Sequence, residues 1–122
     1  MTRTVLVVDD SPSVRQMMAN TLKGAGFVVV TAADGQEALD VCGRLRPDAV
    51  VTDQNMPRLD GIGFCRAFRT TPQNLGVPII FLSTESEDAI KQKARAAGAI
   101  GWMIKPFDQA KLLAVINRVL GA

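Results

Sequence analysis

Short β-branched runs alternate five times along the chain with longer stretches whose apolar residues repeat at helical spacing. Thr4 to Val8 reads as a first strand. Ser11-Pro12-Ser13 then opens a helix. Ser11 can accept a free helix-end N–H, and Pro12 suits the first helical position because its missing N–H costs nothing there. Val14, Met18 and Leu22 recur every four residues and predict the buried stripe, and Gly24 and Gly26 end the helix. Phe27 to Ala32 reads as a second strand, followed by the capping-box pattern Asp34-Gly35-Gln36-Glu37. That pattern predicts a helix through Leu45, stopped by Pro47, with a third strand from Asp48 to Asp53.

Gly61 starts a third helix with Ile62, Cys65 and Phe68 inward. A polar loop, Thr70 to Gly76, leads to a fourth strand from Val77 to Ser83. Ser86, with Glu87 and Asp88 at the positive helix end, starts a fourth helix. Its apolar residues are mainly Ala89, Ala94, Ala96 and Ala97. Alanine favours helix but buries little area, so this is expected to be the least firmly anchored helix. Ala99 to Ile104 reads as the fifth strand and Asp108 to Leu120 as the last helix, with Leu112, Ile116 and Val119 or Leu120 inward. Five strands strictly alternating with five helices predict an α/β doubly wound parallel sheet with helices on two faces. Such sheets bind ligands outside the carboxyl ends of their strands.

Length and charge narrow the classes. The 122 residues predict a single domain spanning 1–122, and a net charge of +2 gives no reason to expect nucleic acid or an anionic membrane as partner. The apolar run from Val5 to Val8 is too short for a signal peptide or a membrane span, so a cytoplasmic protein is expected. Cys42 and Cys65 lie in helical patterns without metal or redox spacing and read as small buried hydrophobes. The chain has no histidine, which excludes His-based general base chemistry, Ser-His and Cys-His pairs, and a phosphohistidine on this chain. Any chemistry must run on carboxylates, hydroxyls, lysine or a metal.

The strand ends supply those groups. Strand one ends in Asp9-Asp10, strand three in Asp53, strand four in Ser83-Thr84 and strand five in Lys105-Pro106. Singly, each has an ordinary reading: a helix-end acid, a loop-starting residue, a turn hydroxyl, a surface lysine. Jointly they are chemically complementary. If strands one and three are neighbours, three carboxylates converge, and they require raised pKa values or a bound cation with Lys105 nearby. A hard divalent ion on few carboxylates is the magnesium pattern. A carboxylate is also a competent nucleophile toward phosphorus, and transfer then needs mainly positioning and charge neutralisation. On this reading Asp53 attacks, Asp9 and Asp10 hold the metal, and Lys105 and Ser83 contact the phosphoryl oxygens.

The sequence resembles a response-regulator receiver domain over essentially its whole length. The motifs are Val-Val-Asp9-Asp10-Ser, Asp53-Gln-Asn-Met-Pro57-Arg-Leu-Asp-Gly61, Pro78-Ile-Ile-Phe-Leu-Ser83 and Gly101-Trp-Met-Ile-Lys105-Pro-Phe107. Ser-Thr-Glu-Ser at 83–86 and the run ending at Trp102 are most similar to stand-alone chemotaxis receivers. The resemblance implies the flavodoxin-like strand order 2-1-3-4-5 and a phosphoacceptor role for Asp53, with a sensor histidine kinase as donor. It implies Mg²⁺ on Asp9, Asp10, Asp53 and the backbone carbonyl of Asn55. It further implies Ser83 as switch hydroxyl, Lys105 as the site lysine, a cis bond before Pro106, and Trp102 as a rotating aromatic. The helix four, strand five and helix five surface would then be the readout, with a flagellar motor switch protein as target of a monomeric receiver.

Three residues depart from the family pattern: Ser83 for threonine, Trp102 for tyrosine or phenylalanine, and Thr84 for a smaller residue. Trp102 is expected to be hard to accommodate inward, and Thr84 to narrow access to Asp53. Asn55 and Glu85 match a pattern associated with short-lived phosphorylation. Lys91, Lys93, Arg95, Lys111 and Arg118 either make the output face basic, favouring an acidic partner, or are an ordinary solvated face. Other functions on this architecture are a phosphate-sink or adaptor receiver outside chemotaxis, an aspartyl-nucleophile phosphohydrolase, and a flavin module. The phosphohydrolase normally needs an acid where Asn55 stands. The flavin module needs a phosphate loop where Asp9 and Asp10 stand. The expectation is a non-enzyme that catalyses only its own phosphorylation and dephosphorylation.

Overall fold

The computed structural model describes residues 2–121. Five parallel strands, β1 (Thr4–Val8), β2 (Val28–Ala32), β3 (Ala49–Thr52), β4 (Ile79–Ser83) and β5 (Gly101–Ile104), form one sheet in the order β2-β1-β3-β4-β5. Between and after them run α1 (Pro12–Gly24), α2 (Gly35–Cys42), α3 (Gly61–Phe68), α4 (Asp88–Ala96) and α5 (Gln109–Val119). This is the expected doubly wound, flavodoxin-like arrangement.

Because successive strand residues face opposite ways, each central strand feeds two cores. Val5, Val7, Val51, Ile80 and Leu82 pack with Met18 and Leu22 of α1 and Leu112 and Ile116 of α5. Leu6, Val8, Val50, Ile79 and Phe81 pack with residues of α2, α3 and α4, among them Val41, Phe68 and Ala94. Burial on both faces explains why β3 and β4 read as continuous apolar runs rather than alternating ones. In α4 only Ala94 is buried, in keeping with its weak apolar stripe.

Element ends depart from expectation for identifiable reasons. Phe27 and Ala99, expected as first strand residues, instead donate their N–H groups back to Leu22 and Ala94, at 3.1 and 3.0 Å, five positions earlier. Each follows a positive-φ glycine, Gly26 or Gly98, so each closes the preceding helix as a Schellman turn. Val77 likewise closes a 3₁₀ turn, Pro72–Asn74, inside the stretch expected to be plain loop. Helix α2 stops at Cys42 rather than Leu45, with Gly43 as its C-cap. Ser86 does not cap α4: Glu87 holds that position, without a side-chain bond to the helix. Val14 is only half-buried, whereas Met18 and Leu22 are fully buried. Cys65 is buried, its thiol donating to the Ala97 carbonyl, while Cys42 is half-buried and its pKa is pushed up to about 11 by burial. Neither cysteine is a reactive thiolate.

Among the described residues, no helix is long and apolar enough to cross a membrane.

Candidate functional site

The chain reverses its winding direction between β1 and β3, and the crevice there opens at the carboxyl ends of the strands. Asp9 and Asp53 are the first residues beyond β1 and β3, each still tied to the ladder. The Asp9 N–H donates to the Ala32 carbonyl (3.1 Å) and the Asp53 N–H to that of Val8 (2.9 Å). The strand register thus sets both carboxylates side by side. Lys105 follows β5, with its N–H on the Ser83 carbonyl (2.9 Å) and a cis peptide bond to Pro106. Its ammonium donates to Asp9 Oδ2 (2.9 Å) and Asp53 Oδ2 (3.0 Å).

Asp9 is fully buried and Asp53 nearly so, whereas Asp10 is exposed. The carboxylates of Asp9, Asp10 and Asp53 each offer an oxygen, and these lie within 4.8 Å of one another. One ammonium against three carboxylates leaves the crevice negative. Burial raises the Asp9 pKa, against the bonds from Lys105 and the Ser11 N–H. For Lys105, burial alone would lower the pKa, but the bonds to Asp9 and Asp53 outweigh it and the pKa is raised. A set of three hard oxygen donors, only one of them fully buried, fits a small divalent cation that keeps several waters.

The other expected site residues lie around this cluster without all joining it. Ser83 is fully buried at the end of β4, and its hydroxyl oxygen accepts the Glu85 N–H at 3.3 Å. Thr84 is exposed beside it and Glu85 half-buried. Asn55 is exposed on the loop two residues beyond Asp53. Trp102 is half-buried: its ring stacks on Phe81 (centroids 4.9 Å apart, planes 2° from parallel) and its indole N–H donates to the Glu85 carbonyl (2.9 Å). Residue 85 therefore touches both the Ser83 hydroxyl and the Trp102 indole, through opposite sides of its backbone.

The loop between β3 and α3 holds contacts that the sequence reading missed. Gln54 is buried: its N–H donates to Asp53 Oδ1 (2.7 Å), and its side chain accepts the Ile62 N–H (2.8 Å) and donates to Asp60 (3.1 Å). Asp60 in turn caps α3 through the Gly63 N–H. Farther along, Arg58 adopts φ +66°, and Leu59 N–H bonds the Pro57 carbonyl across it (2.7 Å), a γ-turn of the positive-φ kind. The Arg58 guanidinium lies on both oxygens of Asp34, at 3.0 and 3.1 Å, while Asp34 also caps α2 through the Glu37 N–H. The Arg58 bond, the Glu37 N–H and the nearby charge together lower the Asp34 pKa. A capping signal was legible at Asp34. Nothing in the sequence signalled a left-handed arginine, since glycine, asparagine and aspartate are the residues that favour that conformation.

The family model for the response regulator receiver domain matches residues 5–117. The solved structure of chemotaxis protein CheY4 of Vibrio cholerae superposes with a TM-score of 0.93 at 44% identity, covering 98% of this chain and 99% of that one. The receiver domain of sensor histidine kinase PA1611 from Pseudomonas aeruginosa, described with magnesium coordinated in its active site cleft, superposes with a TM-score of 0.90 at 30% identity over the whole of both chains. Response regulator MprA of Mycolicibacterium vanbaalenii is 41% identical over 116 residues, 95% of this chain but 49% of that protein. The chain spans about half the length of several such curated relatives.

Proposed function

The chain belongs to the response regulator receiver domain family, and on that premise we propose that it is a monomeric, cytoplasmic receiver of two-component signalling, switched by phosphorylation of Asp53. The observation that carries this is the shared ammonium: Lys105 bridges Asp9 and Asp53 in a crevice where a third carboxylate, Asp10, has an oxygen within 4.8 Å of theirs. A cleft built only to be stable would bury fewer like charges. This one is prepared for an incoming divalent cation and a phosphoryl group.

Asp9, Asp10 and Asp53, with the main chain of Asn55, would hold Mg²⁺. When bound, the ion supplies positive charge to the phosphoryl oxygens. An Asp53 oxygen attacks the phosphorus of a phosphohistidine on a sensor histidine kinase; the P–N bond breaks as the P–O bond forms. Lys105, freed from one carboxylate, follows the charge onto the phosphoryl group, and Ser83 donates its O–H to a phosphoryl oxygen, which draws the hydroxyl oxygen away from the Glu85 N–H it accepts. That movement loosens the turn carrying the Glu85 carbonyl, on which the Trp102 indole rests. The surface of α4, β5 and α5 then changes, and α4, with one buried residue, is the helix least held in place. The protein acts on no substrate beyond its own aspartyl phosphate. Similarity to chemotaxis protein CheY4 over nearly its full length supports a chemotaxis role, and on the same reading the α4, β5 and α5 surface would meet a flagellar motor switch protein.

Incubation with acetyl phosphate should incorporate one acid-labile phosphate with Mg²⁺ and none with excess chelator. Metal-independent labelling would sink the reading.

Thr84 bears on phosphate lifetime. It is exposed just beyond β4, next to Ser83 at the carboxyl end of the sheet, so its branched side chain lies outside the core. Thr84→Ala should speed both labelling by acetyl phosphate and loss of the label, with little effect on stability. Unchanged rates in both directions would show that access does not limit either step.

A further inference from the structure

We propose that Arg58 and Asp34 form a clasp that positions the β3–α3 loop for metal binding, making Arg58 a positioning residue of the site. This rests on the phosphoacceptor reading above and extends it to the loop that carries Asn55. The loop is held at three places. Gln54 fastens its start to α3 through the Ile62 N–H and Asp60. The Gly35 N–H holds its far end by the Leu59 carbonyl (2.9 Å), and a Cβ on Gly35 would lie 2.5 Å from that oxygen. Between these, the loop's side-chain hydrogen bonds to the start of α2 come from the Arg58 guanidinium on Asp34.

Three features say that this tie matters despite the exposure of Arg58, whose side chain is 58% accessible. First, the guanidinium engages both carboxylate oxygens, the geometry in which an arginine fixes orientation rather than merely neutralising charge. Second, Asp34 is itself fixed, buried and engaged with the Glu37 N–H, so the clasp closes on a rigid anchor. Third, Arg58 sits at φ +66°, a conformation that an arginine keeps only where its surroundings over-determine it. Asn55 lies three residues before Arg58 and is exposed, so its position against the carboxylates is set by its neighbours: buried Gln54 and core-packed Met56 on one side, and the turn at Arg58 on the other.

Release of the clasp should therefore weaken the cation site without touching any group in it. Calorimetric titration with MgCl₂ would compare the parent with Arg58→Gly, which suits the positive φ but has no guanidinium, and Asp34→Asn, which still caps α2. Both variants should bind Mg²⁺ about tenfold more weakly, at the low end of what losing an outer partner of a metal site costs. Arg58→Lys should fall between. Labelling rates at saturating Mg²⁺ should be unchanged, the signature of lost binding rather than lost chemistry. The double variant should be no worse than either single one. Parent-like Mg²⁺ affinity in Asp34→Asn and Arg58→Gly would overturn the clasp. Failure of the parent itself to bind Mg²⁺ or take up phosphate would instead overturn the phosphoacceptor reading.

Discussion

An Asp53→Asn protein is expected to take up no acid-labile phosphate under conditions that fully label the parent. The amide offers no anionic oxygen to attack phosphorus, and it replaces one of the three oxygen donors of the cleft with a weaker one. The loss would not come from unfolding. Asparagine can still accept the Gln54 N–H through its carbonyl oxygen, and Lys105 keeps its bond to Asp9. Removing one of three crowded carboxylates also relieves repulsion, so the melting temperature should equal or exceed the parent's. Intact-mass spectrometry before and after acid treatment, with a parallel thermal melt, separates the two effects. Label that persists in Asp53→Asn would move the acceptor to another residue.

The second large effect is on stability. Alanine is the better helix former, by about 1 kcal/mol, and Gly61 opens α3, so propensity alone predicts that Gly61→Ala stabilises. The surroundings reverse the sign. A Cβ at Gly61 would lie 2.3 Å from the Asp53 carbonyl oxygen, 2.6 Å from the Phe81 ring and 3.1 Å from the Gln54 Cα. Two of those neighbours are main chain, and the third is a fully buried ring under Trp102, so none can yield cheaply. We expect a loss of about 3 kcal/mol, the upper end of what overpacking costs. It should be read as a lowered urea midpoint with unchanged slope. Phosphate uptake should fall as well, because the first atom displaced belongs to Asp53. An alanine variant as stable as the parent would mean that the β3–α3 loop shifts freely.

Most of the site was legible because a parallel sheet writes its cleft into the sequence. Each strand is a short apolar run with a recognisable end, and Asp9, Asp53, Ser83 and Lys105 stand at those ends. What the sequence concealed depends on contacts between distant loops. Arg58 and Asp34 are 24 positions apart, and nothing local favours a left-handed arginine. Gln54 reads as a loop amide, although it is buried and ties Asp53 to α3. Strand starts were misplaced at Phe27 and Ala99 because an apolar residue after a glycine fits either a strand or the close of a Schellman turn. Only the helix before it decides which.

The separation of Lys105 from its partners, 52 positions beyond Asp53 and 96 beyond Asp9, bears on how the protein is made. Chains emerge from the ribosome amino end first. The three acids are therefore translated long before the ammonium that joins them, and β5 is the last strand to reach the sheet edge. No nascent chain that stops short of residue 105 holds a complete site. The same holds for any fragment that has lost its carboxyl-terminal strand. The site is thus completed in one step, when β5 and residue 105 reach the sheet.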